Sequence, residues 1–69
     1  MEDYYEINVT FNGKHLFATA PRSIRTWFEL QKVLNIFVRK FKVTEGYDIT
    51  ITKWEGRGYD VSKREVLGG

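Results

Sequence analysis

With 69 residues, no cysteine and one histidine, the chain has room for a single domain around one modest core, and the lack of thiols excludes disulfides and thiolate metal sites. Eleven lysines and arginines against nine aspartates and glutamates leave a net charge of +2, far from the footprint of a dedicated nucleic-acid binder. No apolar run nears the roughly 20 residues of a membrane span, and residues 1–6 are acidic and polar, unlike a signal peptide, so a cytoplasmic protein is expected.

From Tyr5 the chain alternates. Tyr5, Ile7, Val9 and Phe11 share one face, and Glu6, Asn8 and Thr10 the other, as in a strand with one buried side. Asn12 and Gly13 follow, a pair suited to a type I′ turn, whose two central residues both need positive φ. A regular two-residue turn sets Phe11 opposite Lys14, Val9 opposite Leu16, Ile7 opposite Ala18 and Tyr5 opposite Ala20. In that register Leu16, Ala18 and Ala20 join the core, the alanines leaving room for a helix to cross closely. His15, Phe17 and Thr19 then face outward with Tyr4.

Residues 23–42, SIRTWFELQKVLNIFVRKFK, carry the only long helical period. At 100° per residue Trp27, Leu30, Leu34, Phe37, Val38 and Phe41 fall on one arc, flanked by Ile24, Phe28 and Val33. Pro21 and Ser23 mark the start, with Ser23 as N-cap, and Thr44, Glu45 and Gly46 mark the stop. The opposite side carries Arg25, Lys32 and Arg39 at seven-residue spacing, with Lys40 beside them and Ile36 among them. Between residues 22 and 42 there are six basic residues and one acidic; elsewhere there are five basic and eight acidic. The protein is therefore charge-polarised more than it is basic, and the stripe suits an acidic protein surface or a phosphate backbone.

Residues 47–54, YDITITKW, alternate again, with Ile49 and Ile51 inward and Asp48, Thr50, Thr52 and Trp54 outward. Residues 55–58 form a turn into a last strand with Tyr59 and Val61 inward. Ser62 and Glu65 have the spacing of a capping box for a short helical turn ended by Gly68; the alternative is a strand that runs on through Val66 and Leu67. The sum is one α+β domain over residues 1–69, β-hairpin–α-helix–β-hairpin, with a single antiparallel or mixed sheet and the helix packed on one face. The other face has no cover within the chain, and Tyr4, His15, Phe17 and Trp54 gather on it as candidate contact residues.

A catalytic reading fails on inventory. His15 has no acidic neighbour in sequence, residues 56–58 (Gly-Arg-Gly) join two strands instead of opening a helix, and one helix on one sheet offers little concavity. No cofactor or metal is expected. A nucleic-acid reading has outward aromatics for base stacking, yet Glu6, Asp48 and Asp60 share their face and the basic stripe lies on the helix, so the two halves of such a site do not coincide.

Two resemblances add to this. The hairpin YEINVTFNGKHLFATA followed by WFELQKVLNIFVRKF is similar in layout to small phage antitoxins and anti-CRISPR proteins, inhibitors encoded against host enzymes or host defence. That resemblance implies a non-enzymatic inhibitor or adaptor acting in the host cytoplasm on a host protein with an acidic or apolar patch. Tyr4, Phe17 and Trp54 would be its anchors, and Arg25, Lys32 and Arg39 would steer it, with Ile36 and Lys40 beside them. Many such inhibitors mimic DNA and are strongly acidic; this chain is not, which favours occlusion of a protein surface. The ending Val66-Leu67-Gly68-Gly69 resembles the tail of ubiquitin-like and sulfur-carrier proteins, whose β-grasp fold also begins with a hairpin and a helix and whose terminal glycine is adenylated. A homodimer through open sheet faces or edge strands is a further expectation.

Overall fold

The computed structural model describes residues 3–68. It shows a β-hairpin, a helix and a second β-hairpin, with all four strands in one antiparallel sheet of order β2-β1-β3-β4. Strand β1 is Tyr4–Phe11, β2 Lys14–Ala18, β3 Tyr47–Trp54 and β4 Gly58–Val61; helix α1 is Trp27–Lys40 and the short α2 is Lys63–Val66. The sheet's spine is the pair β1 and β3, matched residue for residue from Tyr4 opposite Trp54 to Phe11 opposite Tyr47. Ile7, Val9, Ile49 and Ile51 meet across this pair and are buried under Leu30 and Leu34 of α1, with Val66 closing one flank.

The first hairpin departs from a regular register. The turn is as expected, with φ of 49° at Asn12 and 84° at Gly13, and Phe11 lies opposite Lys14. Beyond Thr10 and His15, however, β2 carries one extra residue: Val9 pairs with Phe17, Asn8 with Ala18, and Leu16 has no partner. Phe17 is therefore on the helix side, packed edge-on against Phe37 at 5.9 Å and Phe41 at 5.5 Å between ring centroids. Leu16 is left 50% exposed and Ala18 moves to the opposite face. The physical reason is size, since the helix offers aromatic partners that Phe17 fills and Leu16 does not. Thr19 also turns inward, its Oγ1 accepting the Ile7 N–H at 3.0 Å, and Ala20 is exposed.

The connection into the helix replaces the expected first turn. Ile24 forms an isolated antiparallel bridge with Tyr5, whose N–H donates to the Ile24 carbonyl at 2.7 Å, and its side chain enters the core. Residue 24 is thus extended, and Ser23 does not cap the helix; its hydroxyl donates to the Ala20 carbonyl in a turn. The cap is Thr26, which accepts the Glu29 N–H at 3.1 Å and donates to the Glu29 carboxylate at 3.1 Å. At the far end the Phe41 N–H closes on the Phe37 carbonyl, and a single 3-10 turn, Val43–Glu45, leads to Gly46. Gly46 has φ of 101°, and a Cβ there would sit 2.8 Å from Asn12 Oδ1, so this turn against the first hairpin requires glycine.

The tail is helical. The Ser62 hydroxyl accepts the Arg64 N–H at 3.2 Å, Val66 is buried, and Gln31 of α1 donates to the Val66 carbonyl at 3.0 Å. The continued strand is excluded, and residues 63–66 are docked on α1. Gly69 of the Gly-Gly ending lies outside the described residues.

Candidate functional site

The described chain forms a slab of 37 × 25 × 17 Å with a helix face and an open sheet face. On α1, the buried arc of Leu30 and Leu34 leaves the opposite ridge to Phe28, Lys32, Ile36 and Arg39. Phe28 is 68% exposed and Ile36 59%, the former the most exposed of the large apolar side chains. Phe28, Lys32 and Ile36 follow one another at four-residue steps, so they form a single row, and the Lys32 ammonium sits 5.8 Å from the Phe28 ring centroid. Lys40 lies at the edge of this face, over the Phe41 ring at 5.9 Å. Among the described residues, no carboxylate lies within ion-pair distance of Lys32, Arg39 or Lys40.

The structure therefore brings Lys32, Ile36, Arg39 and Lys40 together, as their spacing suggests, and adds Phe28, expected on the flank of the core. It removes Arg25 from the stripe: Arg25 precedes the helix, and its guanidinium donates to the Arg22 carbonyl at 3.2 Å in the connecting turn. Trp27, also expected in the core, is 40% exposed and meets Tyr5 only edge-on, at 6.0 Å.

The open sheet face is built differently. Tyr4 and Trp54 are cross-strand partners stacked at 6.4 Å, both half-buried, and the Trp54 ring lies over Gly58, where an added Cβ would come within 3.2 Å of it. The Trp54 Nε1 is shielded from solvent and has no hydrogen-bond acceptor among the described residues. Beside this pair, Glu6, Thr52 and Asp60 form one row straight across three strands. His15 is exposed and donates through Nε2 to Asn8 Oδ1 at 3.3 Å, and Asn8 in turn donates to the Glu6 carboxylate at 3.2 Å. Asp48, on the same face, pairs with Lys63 at 3.7 Å. Of the four sheet residues singled out in sequence, Tyr4, His15 and Trp54 are on this face and Phe17 is not, for the reason of the bulge at Leu16.

A cleft of about 300 Å³ opens where β4 ends, lined by Asp48, Thr50, Asp60 and Lys63 with Ile49, Ile51 and Val61. Its lining has no histidine and no group paired as nucleophile and base. At the other end, Lys53 lies over the Tyr5 ring at 5.9 Å and is held above the ordinary lysine range, first by its hydrogen bond to Glu55. Among the described residues no three His, Asp or Glu side chains converge as a metal site would need, and no helix is long and apolar enough to cross a membrane. No protein-family model, curated protein or solved structure matches the chain.

Proposed function

We propose that this protein is a non-catalytic protein-binding module, an inhibitor or adaptor of the kind that phages and mobile elements encode, which covers a surface of a host protein in the cytoplasm. The observation that carries the reading is the row Phe28, Lys32, Ile36: two large apolar side chains held out in solvent on either side of a cation with no ion pair among the described residues. A helix pins their positions in advance, so binding orders little that is not already ordered. Phe28 and Ile36 supply apolar area to bury, and Lys32, Arg39 and Lys40 draw the face toward an acidic rim. The fitting partner is therefore an apolar groove edged with carboxylates. A nucleic-acid partner has less support, because Tyr4 and Trp54 lie with Glu6 and Asp60 on the sheet and the cations of α1 lie on the other side of the slab.

Capture of partners from a bacterial lysate on the tagged protein, with and without nuclease, tests this. The expected result is a stoichiometric protein retained after nuclease by the native chain and bound about 30-fold more weakly by Phe28→Ala, the loss typical of an interface anchor. Retention by a Phe28→Ala/Ile36→Ala double variant, or loss of all signal with nuclease, overturns the assignment.

A further inference from the structure

The two broad faces of the slab carry opposite charge. Among the described residues, Lys32, Arg39 and Lys40 stand on α1 with no ion pair, and of Glu6, Asp60 and Asp48 on the open sheet face only Asp48 has a cation beside it. Spacing matches as well as sign. Lys32 and Arg39 are seven residues apart on one helix, about 10.5 Å along the axis. Glu6 and Asp60 sit at the two ends of a three-strand row, two strand spacings or roughly 9.6 Å apart. The apolar parts also correspond: Phe28 and Ile36 project from the helix row, and the Tyr4 and Trp54 rings lie next to the acidic row.

We infer that free copies of this protein associate head to tail, the outer face of α1 of one copy lying on the open sheet face of the next. Each sheet then has a helix on both sides, its own and a neighbour's. The symmetric alternatives fail on charge, since sheet on sheet opposes Glu6 and Asp60 with themselves and helix on helix opposes Lys32 and Arg39 with themselves. Pairing of outer strands is poorly served too, because β2 is bulged at Leu16 and β4 has four residues. A standard interface takes about 800 Å² from each partner, which fits within the outline of the 37 × 25 Å slab. A head-to-tail contact joins unlike surfaces, so it grows beyond a dimer or closes into a ring. This inference rests on the helix face being a binding surface, as the proposed function does, and it makes self-association and target binding compete.

The test is sedimentation equilibrium of the purified native chain alone from 1 µM to 1 mM, at about 20 mM and 500 mM salt. The expected result at low salt is an average mass that rises with concentration past that of a dimer and falls back in high salt. Lys32→Glu/Arg39→Glu and Glu6→Lys/Asp60→Lys should each weaken association at least tenfold, and their equimolar mixture should recover it through the swapped charges. A native chain that stays monomeric, or that stops at a dimer indifferent to both double variants, overturns the inference. Because no target is present, either result leaves the lysate capture above free to stand or fall by itself.

Discussion

The helix face and the open sheet face draw on the same materials, aromatic rings and charge, and dispose of them in opposite ways. On the sheet, Tyr4 and Trp54 lie flat and half-buried against each other and against the backbone at Gly58. On the helix, Phe28 and Ile36 stand away from the protein with more than half of each side chain in water. The first arrangement already buries part of its apolar surface within the chain and leaves less to gain from a partner. The second leaves that gain unrealised, and unrealised apolar burial next to uncompensated charge is what a partner can exploit.

Three measurements probe this contrast. The largest effect is expected from Phe17→Ala, which removes a ring from the cluster with Phe37 and Phe41. A loss of about 2 kcal/mol in chemical denaturation is expected, below the roughly 3–5 of a fully buried phenylalanine because Phe17 is 38% exposed. No loss of stability would return Phe17 to the open face and give that face a third aromatic. A smaller effect is expected from Trp54→Phe. The lost ring area is offset by removal of a buried N–H that has no acceptor among the described residues, so unfolding stability should change by less than about 1 kcal/mol. A loss of 3 kcal/mol or more would mean that Nε1 has an acceptor in solution. The smallest is the stability arm of Phe28→Ala, expected within about 0.5 kcal/mol of the native chain because the side chain has little to leave. A large destabilisation there would make Phe28 part of the core and erase the contrast.

The sheet's spine was legible from residue pattern because it leaves no choice. In residues 47–54 only Ile49 and Ile51 are aliphatic, so alternation assigns both faces, and β3 spans those residues. The outer strand was not legible, because Leu16 and Phe17 are both apolar and adjacent, and alternation alone cannot say which is inside. Phe37 and Phe41, twenty and more residues away, decide it. The helix start was misplaced because Ser23 is a sound local cap, but Ile24 is taken by a bridge to Tyr5, and the competing signal, Thr26 with Glu29 three residues on, was present in the chain. Phe28 carried a signal too. It precedes Lys32 by four residues and Arg39 by eleven, about three helical turns, which stacks it on the cationic ridge and not beside Leu34. What no pattern could supply is the relation between the two faces, since the row Glu6, Thr52, Asp60 joins residues from three separate strands.

The unpartnered Leu16 changes what this fold can survive in its own gene. Loss of a single codon within a strand ordinarily turns every later side chain to the wrong side. In β2, excision of Leu16 would join His15 directly to Phe17 and leave Lys14, His15, Phe17 and Ala18 opposite the partners they have now. On that register the shorter hairpin would keep the same core. What the longer version keeps is an interrupted outer edge, harder for a stray strand to extend.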